Sequence, residues 1–305
     1  MHEVAEKIWK SESATPGQTI IISGGIHGNE RTGIEVVLRI KQALEQEEFI
    51  HTSGTLFLLL GNLKAIELNE RWSESGVDLN RCFGEISEAV YDSFEAQRAM
   101  LIKKVLALDT RHPGSVIGID LHATNKPSKP FLVMQPHPTP LHSTLFSSIP
   151  SAQALLCDPH WVFTGVPATL DDYYNSNRNT GFCYETGCAD DTSRVNEVFN
   201  EMRTLLKDRQ VIAQSKTPDY VAKKYEHSLP TYALREAIIL SDQGFAYESL
   251  MGLFTFQEFS KGALLGHHGG LPLIASFDGV FIFPKLAKHW KLGEPVGFLA
   301  EKIKE

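Results

Sequence analysis

The run Ile20-Ile21-Ile22, in the stretch IIISGGIHGNERTGIE from Ile20 to Glu35, constrains the fold more than any other feature of the chain. Consecutive β-branched residues predict a strand, and the Ser23-Gly24-Gly25 turn that ends it delivers His27 and Glu30 to the mouth of a helix expected from about Glu30 to Gln46. A second strand is expected at Thr55–Leu60, closed by Gly61-Asn62. Strand, helix and strand in succession set an α/β periodicity.

The spacing His-x-x-Glu is one helical turn. It lets an imidazole nitrogen from His27 and a carboxylate oxygen from Glu30 converge on one point, as two ligands of a tetrahedral catalytic zinc must. Such a site needs a third protein ligand and an open position for water. SVIGIDLH, Ser115 to His122, supplies a histidine behind a second buried run, Val116, Ile117 and Ile119. Asp120 and His122 lie two apart and project to the same side of that strand, so Asp120 either orients the ring or lines the site. Taken alone, His27 and Glu30 also fit a solvated helix start.

The chain has 305 residues, 42% of them hydrophobic and 22% charged, which is enough to bury a core and suits an ordinary globular protein of two domains. A net charge of −8 argues against nucleic acid or an anionic membrane as the main partner. The opening MHEVAEKIWK carries mixed charge without the apolar segment of a secretory leader, and the longest apolar run, around Leu56–Leu60, is too short for a bilayer. The expected location is the cytoplasm. Four cysteines, at 82, 157, 183 and 188, form no C-x-x-C pair and are expected as free thiols.

Residues 1–19 are polar and expected to be peripheral. Further helices are expected at Tyr91–Leu108 and about Arg194–Lys207, and strands at 115–121 and Phe131–Met134. His137 and His142 fall in PHPTPLHST, a loop-like stretch without an adjoining buried strand, and are expected to be solvated. From about Thr217 short strands with glycine turns replace the helices. That change divides the chain into residues 1–216, an α/β domain, and 217–305, a small β-rich domain.

Two motifs join the metal candidates. Asn80 and Arg81, in VDLNR, pair an amide donor with a planar guanidinium fork that matches a carboxylate, although an exposed arginine paired to a surface acid would look the same. Glu185, directly after the apolar Phe182-Cys183-Tyr184 and before Thr186-Gly187, reads either as a general base held near the working pH by burial or as a structural carboxylate.

Together HGNE, DLNR, DLH and YETG, in this order from about Ile20 to Gly187, resemble the succinylglutamate desuccinylase/aspartoacylase family, relatives of the zinc carboxypeptidases. The resemblance implies a zinc-carboxypeptidase-like domain with a mixed, largely parallel sheet flanked by helices, and a small C-terminal β domain. It implies hydrolysis of a small acidic N-acyl amino acid with one zinc on His27, Glu30 and His122. Glu185 would be general base and acid, and Asn80 and Arg81 would bind the substrate carboxylate. An oxyanion arginine precedes Asn80 in the family, and Arg71 is its candidate, about two residues farther off than usual. A second substrate arginine precedes the catalytic glutamate, and Arg178 is the nearest, closer to Glu185 than the pattern leads one to expect. Aspartoacylases also use a C-terminal tyrosine in a stretch resembling GVFIFP, Gly279 to Pro284, which holds none in this chain; Tyr247 is the alternative. The same ligands and clamp would also suit a metallocarboxypeptidase acting on a peptide or cell-wall fragment, and a non-catalytic zinc or metabolite binder is a third reading. The acyl group, the amino acid, the oligomeric state and the choice among zinc, nickel, cobalt and manganese are left open by the sequence.

Overall fold

A computed structural model describes residues 1–108, 114–135, 138–189, 191–214, 229–241 and 244–303. The chain opens with a hairpin, β1 (His2–Ala5) and β2 (Ile8–Glu12), before β3 (Thr19–Gly24) runs into α1 (Arg31–Glu45). β4 (Phe49–His51), β5 (Thr55–Leu60) and the short α2 (Leu63–Leu68) follow. Next come α3 (Phe94–Leu106), β6 (Val116–Thr124) and β7 (Phe131–Met134). Then α4 (Pro140–Phe146), β8 (Leu155–Cys157), α5 (Leu170–Ser176) and β9 (Thr180–Cys188) precede α6 (Val195–Asp208) and β10 (Ile212–Gln214). Among the described residues the C-terminal region forms β11 (Thr231–Ile239), β12 (Ala246–Tyr247), β13 (Gln257–Phe259), β14 (Leu264–His268), β15 (Leu271–Ile274), β16 (Gly279–Ile282) and β17 (Pro295–Lys302), with one 3₁₀ turn at Ala287–His289.

A 12-stranded sheet in the order β1-β2-β5-β3-β6-β9-β7-β8-β11-β17-β16-β13 organises these elements. Its centre, β5-β3-β6-β9, is parallel, so the carboxyl ends of β3, β6 and β9 share one edge. Both faces are covered, which is why these strands read as continuous apolar runs. Ile20 and Ile22 pack with Val36, Val37 and Ile40 of α1 on one face, while Ile21 packs with Ala96, Ala99 and Ile102 of α3 on the other. β11 joins this sheet by pairing parallel with β8 and antiparallel with β17, and β12, β14 and β15 form a separate three-stranded sheet. The expected boundary at 216/217 lies outside the described residues.

Three local expectations need correction. Residues 1–19 are not merely peripheral, because β2 pairs antiparallel with β5 and buries Ile8 and Trp9. His142 is buried rather than solvated: a capping box at the start of α4 uses its Nδ1 as acceptor for the Thr139 backbone N–H at 3.1 Å. His137 lies outside the described residues. Finally, α3 begins at Phe94 and not at Tyr91, because Ser93 caps it through a bond from Ala96 N–H to Ser93 Oγ at 3.1 Å.

Candidate active site

The metal-ligand candidates converge, though not by a helical turn. His27 and Glu30 occupy the tight turn between β3 and α1, where Glu30 N–H donates to His27 O at 3.3 Å and Glu30 immediately precedes α1 without its side chain capping it. The turn is pressed onto α2, and a Cβ on Gly28 would lie 2.0 Å from the backbone of Ala65, so only glycine fits. His122 arrives near the end of β6, in register with Glu185 of β9. Ligand atoms of His27, Glu30 and His122, all buried, lie within 4.8 Å of one another.

Each ring is held at both nitrogens. Nδ1 of His27 lies 2.7 Å from Glu30 Oε1, and Nδ1 of His122 lies 2.9 Å from Glu30 Oε2. On the far side, His27 Nε2 meets Asp78 Oδ1 at 3.2 Å and His122 Nε2 meets Asp120 Oδ2 at 2.6 Å. Asp120 is fixed in turn by the Ser23 hydroxyl at 2.7 Å. A carboxylate behind each imidazole sets its tautomer and orientation and raises its basicity, the usual support for a metal-binding histidine. Two imidazoles and a carboxylate, closely grouped and backed by two more carboxylates, fit a divalent cation such as zinc.

Charge placement agrees with this. Burial alone would push the Glu30 carboxyl up, but His27 and His122 outweigh it and hold it below its ordinary value. Asp78 is likewise held well below the usual carboxylate range, burial being overcome by His27, Arg81 and Arg71. Glu185 goes the other way: burial, helped by Glu30 and Asp120 and opposed by His122 and Arg71, pushes it up to about 8. Its Oε2 is buried and has no hydrogen-bond partner among the described residues.

Around this cluster lies a cavity of about 600 Å³, the size of a small-molecule site. Arg71, Asn80, Arg81 and Glu185 all line it. Arg71 Nη1 donates to Glu30 Oε1 at 3.3 Å, and its other nitrogen lies 3.9 Å from Asp78. Asn80 Oδ1 accepts from the Leu170 N–H at 3.0 Å, which leaves the amide nitrogen to donate. Arg81 is exposed, with Nη1 bonded to Asn80 O at 2.9 Å. Arg178 is the exception. It sits before the start of β9, outside the cavity, and Glu185 lies seven residues up that strand, roughly 23 Å away at the usual rise. Closeness in sequence fails because an extended strand carries its two ends far apart. Tyr247 does not line the cavity either, its hydroxyl donating to Val296 O at 2.7 Å.

Sequence reasoning missed three supporting residues. Asp78 stands two before Asn80 in the same motif, but its partner His27 is 51 residues away, a relation that spacing does not reveal. Glu95 of α3 is buried and anchors the segment bearing Arg71 and Asp78: it accepts from Ser73 Oγ, from Ser75 Oγ at 2.8 Å and from Asn62 Nδ2 at 3.0 Å. Lys285, from the loop after β16, lines the cavity on the C-terminal side.

Comparisons with known proteins bear on the family and the fold. Residues 16–207 match the succinylglutamate desuccinylase/aspartoacylase catalytic domain. The chain is 27% identical over 292 residues to the succinylglutamate desuccinylase of Pseudoalteromonas atlantica, covering 88% of this chain and 77% of that protein. It is 37% identical over 107 residues to a probable aspartoacylase of a Nostoc species, covering 34% of this chain and 35% of that one. The crystal structure of the succinylglutamate desuccinylase of Vibrio parahaemolyticus shares the fold, with a TM-score of 0.74 at 19% identity over 98% of this chain and 86% of that one.

Proposed function

The chain belongs to the succinylglutamate desuccinylase/aspartoacylase family of hydrolases, and from that premise we propose that it is a zinc-dependent amidohydrolase removing a succinyl, acetyl or similar acyl group from the α-amino group of an acidic amino acid. The observation that carries this reading is the placing of a buried three-donor cluster beside a buried carboxylate oxygen, Glu185 Oε2, that has no hydrogen-bond partner among the described residues.

Zinc held by His27, Glu30 and His122 would polarise the scissile carbonyl and acidify the attacking water. Glu185 accepts that water's proton on Oε2 and returns it to the leaving nitrogen, a task suited to a carboxyl whose pKa burial has raised toward neutrality. Arg71, at the same end of the cavity, donates to the oxygen that becomes negative in the transition state. The Asn80 amide nitrogen and the Arg81 fork hold the α-carboxylate. In this division of labour residues 1–216 carry the reaction, and residues 217–305 supply the outer wall.

That wall separates the reading from a carboxypeptidase. Phe283, Lys285, His289, Lys291 and Glu294 close one side of the cavity, and about 600 Å³ suits a small acyl amino acid better than a peptide. The four free cysteines, three of them buried, fit a reducing compartment, so we place the enzyme in the cytoplasm. Among the described residues no helix is long and apolar enough to cross a membrane. A panel of N-succinyl and N-acetyl amino acids, run beside peptides ending in the same residues, tests the proposal. Turnover of the acyl amino acids supports it; turnover of the peptides alone replaces it with a carboxypeptidase.

A further inference from the structure

A substrate with two carboxylates needs a second cation besides Arg81, and Arg178 does not reach the cavity. Five cationic side chains of arginine or lysine do line it: Arg71, Arg81, Lys126, Lys285 and Lys291. Most are already engaged. Arg71 is bonded to Glu30 and lies 3.9 Å from Asp78 at the metal end. Lys126 donates to Gly252 O and lies 5.7 Å from the centre of the Tyr247 ring. Lys291 lies 4.6 Å from the centre of the Trp72 ring and 3.9 Å from Glu294 Oε1.

Lys285 differs from these. Among the described residues its one ion contact is a long one, 3.6 Å to Glu294 Oε2, so a single partly exposed carboxylate is divided between Lys285 and Lys291. The backbone delivers it deliberately. β16 ends at Ile282, Phe283 takes a left-handed φ of +48° and packs on Phe131 and Phe163, Pro284 follows, and the Lys285 N–H is fastened to Val296 O at 2.7 Å. Burial presses the Lys285 ammonium below its ordinary pKa; Glu294 resists, while Arg71 and Arg81 press the same way as burial. An incoming carboxylate would relieve that repulsion. Of the other acids lining the cavity, Asp171 is pushed up to about 7 by burial and Asp172 and is tied to the Thr169 hydroxyl at 2.6 Å, while Glu85 is exposed.

We propose that Lys285 is a specificity-determining residue, its ammonium holding the side-chain carboxylate of the amino acid whose α-carboxylate is held by Arg81. Lys285 lines the C-terminal side of the same cavity that Arg81 lines, so it is given the amino-acid half of the substrate, which Arg81 anchors, rather than the acyl half. The loop after β16 thereby selects an acidic amino acid in this chain with an ammonium, in a stretch that carries no tyrosine.

The inference rests on the function proposed above, so its test must fail separately. The metal-loaded enzyme and its Lys285→Met and Lys285→Arg variants are assayed on two matched pairs with one acyl group, N-acyl-glutamate against N-acyl-glutamine and N-acyl-aspartate against N-acyl-asparagine. Lys285→Met is expected to lose about ten- to a hundredfold in kcat/KM on the acidic members, mainly through KM, and to change by less than about threefold on the amides. Lys285→Arg is expected to keep the preference. Equal losses on both members of a pair, or a wild type with no preference for the acid, overturn the assignment. If the wild type hydrolyses none of them, the deacylase reading fails, and calorimetric titration with glutamate and glutamine decides Lys285 independently. A glutamate preference abolished in Lys285→Met upholds its role, and its absence in the wild type overturns it.

Discussion

The two ends of the cavity are built differently. At the metal end, His27, Glu30, His122 and Glu185 stand at or just beyond the carboxyl ends of three parallel strands, all buried, with Asp78 and Asp120 bracing the rings. At the outer end, Arg81 extends from a short 3₁₀ turn, and Lys285 and Lys291 are long side chains on the C-terminal side, joined by contacts as long as 3.6–3.9 Å to a partly exposed Glu294. The sheet fixes the reacting geometry with little freedom to drift. The loops hold charge in a region where one substitution can change the substrate without disturbing the chemistry.

Mutations should separate the two ends by size of effect. Glu185→Gln is expected to lower turnover by about 10²–10⁴-fold with metal content unchanged. The pH profile of the wild type sharpens this. Glu185 must be ionised to accept a proton, so kcat/KM rises with pH through its pKa; a bound cation counteracts the burial that pushes it to about 8, which places the acid limb below that value. Glu185→Gln should remove the limb. Undiminished turnover in that variant would break the distinction between the ends.

Arg71→Ala is expected to cost about 10²–10³-fold, mostly in kcat, as for other oxyanion donors. A smaller loss, about tenfold in kcat, is expected from Glu95→Gln, which keeps the shape of the anchor under the 69–78 segment but weakens its bonds to Ser73, Ser75 and Asn62. A thermal melt run beside the assay tells displacement of Arg71 from general unfolding. The smallest effect belongs to Arg178→Ala, expected within about twofold of wild type on every substrate because the residue is exposed and outside the cavity. A large loss there would mean that the substrate contacts parts of the surface beyond this cavity.

The same contrast governs what the sequence discloses. His27 with Glu30, and Asp120 with His122, are short-range relations laid on apolar runs, and both were legible, although a turn rather than a helix joins the first pair. The central strands were legible because burial on both faces leaves no polar interruption. Asp78 and Glu95 were not, since each acts on groups 51 or 20 to 33 residues away and neither changes the local pattern. Tertiary direction misled in two places. Arg178 is near Glu185 along the chain but at the other end of an extended strand, and His142 looked solvated while serving a buried cap. Lys285 depends on a backbone turn at Phe283 and on the fastening to Val296, neither visible in spacing.

The measurement that meets the central claim most directly is elemental analysis of the purified protein, with hydrolysis of N-acyl amino acids assayed in parallel, on wild type and His122→Ala. The account predicts about one zinc per chain in the wild type and loss of both metal and activity in the variant. A wild type that binds no metal after reconstitution, or a His122→Ala protein that keeps both zinc and turnover, would contradict it.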